Sequence, residues 1–312
     1  MAVFRPGSIA LAILISLVSI VFFDLMGLVI KALSGSYGAA ELAAYRNLVG
    51  LVPSAIALWM VPSWRPRWRA LWIRQWRLGF LRGVAVAFAQ LCFYLSLARL
   101  EFATATTISY STAIFTTAFA VPLLGEKVGW IRWLAVLIGF LGVVLVMGPG
   151  RAGFDWGALL PLGAAVLYGF TAVTARMIDE EVPSPLLNLY SSGAAAVTAM
   201  ALAAMRGGIS PIAAPGDLIW ISAMGIFGGL AVLLLVIAYR MTEPSNLAPF
   251  DYFGIPSAFA LGWVFFGEAP IEDLYPGALL IILGGLMIIW RERRLTAHAE
   301  MTAIHAKPRG RR

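Results

Sequence analysis

Between Ser8 and Trp290 the chain is a run of apolar stretches, each roughly 20 residues long, separated by short charged or Gly/Pro punctuation. At 1.5 Å of rise per residue, a helix of that length matches a hydrocarbon core of about 30 Å. Inside lipid every backbone N–H and C=O must find its partner within the protein, and a helix satisfies its own. The pattern therefore confines the chain to one fold class, an all-α polytopic membrane protein. Composition agrees, because 61% of the 312 residues are apolar and 12% are charged, a balance foreign to soluble domains.

The apolar windows predict ten transmembrane helices, near 8–33, 39–62, 79–98, 102–124, 128–147, 156–177, 185–205, 217–240, 244–266 and 274–290. Only Arg99-Leu100-Glu101 divides the third from the fourth, and only Met241-Thr242-Glu243 divides the eighth from the ninth. The first segment is too long for a signal-peptide core and carries Asp24, so it is expected to stay as helix 1. Lys and Arg gather on the cytoplasmic side of short loops. With both termini in the cytoplasm, Lys31, Arg99, Arg151 and Arg206 alone remain outside. That arrangement puts Arg82 and the basic tail 291–312 inside. The net charge of +7 then needs no nucleic acid, since topology and anionic lipid headgroups account for it. The same holds for the Trp- and Arg-rich segment Trp64 to Arg77, read as lying at the membrane interface.

Laid over itself with a shift of 142 residues, Glu101 to Gly142 matches Glu243 to Gly284 without a gap. Tyr110 meets Tyr252, Gly125-Glu126 meets Gly267-Glu268, and Gly83 meets Gly225. A shift of 145 pairs Lys31 with Arg176 and Tyr45 with Tyr190. The chain thus divides into a first repeat, 8–147, and a second, 156–290. Five helices per repeat is an odd number, so the second copy enters the membrane from the opposite side. Inverted repeats with a site at the shared midplane are a recurring plan of secondary transporters.

Several motifs resemble the drug/metabolite transporter superfamily, specifically its EamA-type members. They are Ala40-Glu41-Leu42-Ala43-Ala44-Tyr45-Arg46 in helix 2, Leu123-Leu124-Gly125-Glu126-Lys127 closing helix 4, Ala248-Pro249-Phe250-Asp251-Tyr252, and Phe265-Phe266-Gly267-Glu268 closing helix 9. Ala103-Thr104-Ala105-Thr106-Thr107 and the helix 2 arginine look most like the branch of S-adenosylmethionine uptake and riboflavin transporters. The resemblance implies a metabolite carrier of the bacterial inner membrane.

An ionised side chain at the bilayer centre costs about 2.5–3.5 kcal/mol on insertion scales, which makes Asp24, Arg46 and Asp251 candidates for the substrate site. Asp24 and Arg46 both fall roughly 12–13 Å below the outer surface, where they either pair with each other or bind complementary charges on a substrate. Asp251 follows Pro249, which frees a backbone carbonyl, and is expected to take a cation or a coupling proton. Tyr110 and Tyr252 offer matching aromatic faces that stack on a ring, attract a cation or simply pack. Gln90, Tyr168, Thr171 and Asn188 are weaker polar candidates. Lys31 is expected to snorkel to the interface, and Cys92 to pack as a small apolar residue.

The expected function is secondary transport of a small polar or zwitterionic metabolite by alternating access, with membrane lipids as the other partner. No cofactor or metal is called for, since the two histidines, His298 and His305, lie in the polar tail and no phosphate loop is present. The alternative is an intramembrane enzyme acting on a lipid-linked substrate, which would gain nothing obvious from two inverted halves. Gly225 and Gly229 serve packing within one chain or between two, so a homodimer stays open.

Overall fold

The computed structural model describes residues 9–60, 74–125, 130–148, 155–175, 177–179, 182–241, 247, 250, 252–287 and 290. Its helices are α1 (Ile9–Leu33), α2 (Ala39–Met60), α3 (Trp76–Leu97), α4 (Phe102–Ser109), α5 (Thr112–Leu124) and α6 (Trp130–Met147). A short 3₁₀ turn then leads into α7 (Leu159–Ala175), α8 (Ser184–Met205), α9 (Pro215–Met241), α10 (Gly254–Phe266), α11 (Ile271–Leu274) and α12 (Gly277–Met287). No strand occurs among the described residues. Seven helical stretches are long and apolar enough to cross a membrane, with α4 and α5 counted as one, and shorter apolar helices accompany them. Large apolar side chains such as Leu14, Val52, Leu137, Val197 and Val264 face outward, as a lipid solvent requires.

Helix 4, expected as one rod over 102–124, is interrupted at Tyr110-Ser111. There the Ser111 amide donates to Ile108 O at 3.0 Å and that of Tyr110 reaches both Thr106 O and Thr107 O, a 3₁₀ tightening of the α-ladder. The matching place in the second half is tightened too, with Phe253 N donating to Phe250 O at 2.9 Å and Ile255 N to Tyr252 O at 3.1 Å. The repeated Gly-Glu motif has a local cause. Gly125 and Gly267 adopt φ of 67° and 69°, left-handed conformations that end α5 and α10.

Packing mirrors the sequence repeat. α1 packs on α9 as α7 packs on α3, α2 on α9 as α8 on α3, and α1 on α10 as α7 on α5, while α2 and α8 pack on each other. Close approach depends on small residues. Gly225 lies against Val49 and Gly229 against Pro53, so these glycines join α9 to α2 within one chain; Gly83 meets Ala194, the counterpart of the Gly225–Val49 contact. Gly142 faces the Gly277 carbonyl of α12, and Gly284 faces the Ala135 carbonyl of α6.

Two apolar clusters result. One gathers Met26, Ile30, Leu42, Tyr94, Phe102 and Met224. The other gathers Ile108, Ile114, Val143, Tyr252, Ile255 and Ile281.

Candidate functional site

Arg46 sits one residue before Asn47 on α2, with 7% of its surface exposed. Its Nε donates to Met26 Sδ at 3.4 Å and its Nη1 to Asn47 Oδ1 at 3.0 Å. Asn47 is itself pinned, donating from Nδ2 to Ala43 O at 2.7 Å and to Gln90 Oε1 at 2.5 Å. Gly228 of α9 makes the room, since a Cβ there would lie 2.8 Å from Arg46 Nε. Tyr94 and Tyr168 stand within electrostatic reach of the guanidinium. The Tyr94 hydroxyl is buried without a hydrogen-bond partner.

Asp24, 4% exposed on α1, faces Ser257 of α10, while its Oδ2 has no partner. Asp24 and Arg46 do not form an ion pair, and the pairing open to them in sequence is not made. Asp24 Oδ2 is thus left without a partner, and Nη2 of the guanidinium is bound by neither Met26 nor Asn47. An uncompensated acid and base on neighbouring helices can receive a molecule carrying both charges.

Tyr110 and Tyr252 do come together, with ring centroids 6.4 Å apart and planes tilted by 44°. They belong to the second apolar cluster, where the Tyr110 hydroxyl occupies the space above Gly254 and the Tyr252 hydroxyl that above Gly285. Helix α10 connects the two groups, carrying Gly254 under Tyr110 and Ser257 against Asp24. Asp251 lies outside the described residues. Of the weaker candidates, Gln90 holds Asn47, and Asn188 donates to Ser54 Oγ at 2.8 Å, joining α8 to α2.

Lys31 does not snorkel. Its Nζ lies 2.6 Å from Glu268 Oε1, donates to Leu100 O at 2.8 Å, and stands 5.1 Å from the centroid of the Phe266 ring. Glu268 Oε2 in turn accepts from Phe102 N at 2.7 Å, capping α4. The end of α1 is thus tied to the α3–α4 connection and to the turn after α10. Burial pushes the Glu101 carboxyl up, and Glu268 and Asp273 add to this against the pull of Lys31. Glu41, which in sequence only carried a motif, accepts from Gly38 N at 2.8 Å and from Ser210 N, fastening the loop before α9 to α2. No group of three metal-ligating side chains occurs among the described residues.

A model of the EamA-like transporter family matches residues 10–148 and 155–290. The chain belongs to this family. Among relatives of this EamA-family protein, a riboflavin transporter of Rhizobium johnstonii is 32% identical over 179 residues, covering 55% of this chain and 56% of the relative. The chain thus spans little more than half of that relative's length in the match. An S-adenosylmethionine uptake transporter of Rickettsia bellii is 29% identical, covering 69% of this chain and 72% of the relative. A pseudopaline exporter of Pseudomonas aeruginosa is 23% identical over 87% of this chain and 93% of the relative. One solved crystal structure shares the fold, with a TM-score of 0.62 at 20% identity over 92% of this chain and 99% of that one. The EamA-family protein is accordingly a multi-pass membrane protein of a transporter family.

Proposed function

We propose that this protein is a secondary transporter of the bacterial inner membrane. It moves a small polar or zwitterionic metabolite by alternating access between two inverted five-helix repeats, 8–147 and 156–290. The observation that carries the reading is the pair of buried, mutually unpaired charges at Asp24 and Arg46. Their counterparts at the 145-residue shift are Gly169 and Ser191, so the charge serves no need of the repeated architecture. Such an asymmetric site orients a substrate one way round, with Arg46 holding an acidic group and Asp24 a basic or onium centre. The mirrored helix packing and the family model's two matched stretches support the repeat. With the amino terminus inside, the Lys31–Glu268 contact closes the outer face around α1, α4 and α10. Tyr110, Tyr252 and Asp251 complete the proposed path. Bacterial relatives named for transport of riboflavin, uptake of S-adenosylmethionine and export of pseudopaline point to metabolite-sized cargo rather than to the enzymatic alternative.

The test is uptake of radiolabelled S-adenosylmethionine and of riboflavin into proteoliposomes, alongside thermal-shift titration of the same compounds. One of them should be taken up saturably, and Asp24→Asn and Arg46→Gln should each abolish uptake while the folded protein persists. Uptake indifferent to both substitutions would remove the assigned site.

A further inference from the structure

Arg82 lies on α3, six residues past Trp76, so about 9 Å into that helix. Its Nε and Nη1 are buried and have no hydrogen-bond partner. A guanidinium in that position at the edge of a bilayer ordinarily swings to the headgroups. The face it occupies forbids the simple form of that answer. Phe80 and Phe88, 49% and 41% exposed, mark the lipid side of α3. Gly83 abuts Ala194 and the Ser191 carbonyl of α8, and Cys92 approaches Gly163 of α7. At about 100° per residue, Arg82 projects between the α7 and α8 contacts and away from both phenylalanines. It therefore points into the interior of the bundle.

Fold alone does not ask for this charge. At the 142-residue shift the counterpart of Arg82 is Met224, fully buried and apolar. A largely buried guanidinium with no neutralising partner among the described residues is a standing penalty, and such residues in membrane helices mark ligand paths. Gln90, which holds Asn47 beside Arg46, is eight residues further along α3, roughly 12 Å. Two guanidiniums thus stand at two levels near one wall, one at Arg46 and one nearer the start of α3.

We propose that Arg82 is a second oxyanion-binding position, which takes a carboxylate or phosphate between Arg46 and the end of the bundle where α3 begins. This rests on the transport reading and sharpens it, because two arginines in series suit a cargo with an acidic group. A phospholipid phosphate offers the same chemistry as a solute, so the experiment separates the two sources.

The probe is inorganic phosphate, titrated by calorimetry against the full chain in phosphatidylcholine nanodiscs and in nanodiscs containing phosphatidylglycerol. The wild type should show two saturable sites in phosphatidylcholine, and Arg82→Gln and Arg46→Gln should each leave one. Arg82→Met, which copies the second repeat, should fold at least as stably as the wild type without phosphate and lose the same site. If phosphatidylglycerol occupies the position, the Arg82-dependent phosphate site weakens at least about tenfold in the charged discs, naming the lipid as the source; an unchanged site names the solute. Retention of both sites in Arg82→Gln and Arg82→Met overturns the proposal. Because the readout is binding without transport, that result leaves the uptake experiment with Asp24 and Arg46 to stand or fall separately.

Discussion

Replacing Lys31 by Met removes three contacts at once: the 2.6 Å ion pair to Glu268, the hydrogen bond to Leu100 O and the approach to the Phe266 ring. The side chains of Lys31 and Glu268 are 12% and 20% exposed, so water screens them only in part. Stranding one partner of a buried pair costs about 3–5 kcal/mol, and this exposure places the loss near 3 kcal/mol. Glu268→Gln should cost a similar amount, because the amide that replaces one carboxylate oxygen no longer neutralises Lys31. The double variant should be less destabilised than the sum of the singles by about 1–2 kcal/mol, since neither charge is then left alone. Equilibrium unfolding in mixed micelles with rising dodecyl sulfate fraction, run on all four proteins as a double-mutant cycle, reads this coupling. Additivity within about 0.3 kcal/mol would refute the reasoning and reduce the contact to a screened surface pair.

Glu101→Gln should raise the melting temperature at pH 7. Burial, with Glu268 and Asp273, raises the folded carboxyl's pKa, so the folded protein holds that proton more tightly than the unfolded chain and stability falls as pH climbs past the ordinary glutamate range. The gain should vanish below about pH 4, where both states are protonated, and a variant less stable than wild type at pH 7 would reverse the assigned sign. Gly228→Ala places a methyl 2.7 Å from Met26 Sδ and 2.8 Å from Arg46 Nε. It should cost about 1–3 kcal/mol of stability and, on the proposed transport reading, weaken binding of the compound taken up, with Met26→Ala restoring part of both; thermal-shift titration of the three proteins checks this.

How much was visible beforehand follows from what lipid demands. The helices were legible because a span needs an unbroken apolar stretch, and the observed α3 and α4 are divided at Arg99 to Glu101 as expected. The burial of Asp24 and Arg46 was legible too, because both lie inside apolar helical stretches. Their azimuth was not, since rotation about a helix axis is set by neighbours remote in sequence, here Ser257 and Gly228. Lys31 was misread for the same reason, as Glu268 meets it only after nine intervening helices have folded. Arg82 was assigned by the charge rule to the cytoplasmic side, and that rule is blind to which face of α3 the residue occupies. The break at Tyr110 left no Gly or Pro at the site to announce it.

The two tyrosines act as teeth in notches. Tyr110, at the end of α4, fills the hollow left by Gly254 on α10, and Tyr252, just before α10, fills that left by Gly285 on α12. Sliding α12 by a single residue, about 1.5 Å, would bring backbone into a ring that has nowhere to go. Helices α4, α10 and α12 are therefore geared to one another, and the motion that the proposed alternating access requires would be taken up where no ring is engaged, along the glycine contacts of α9 with α2 and of α3 with α8.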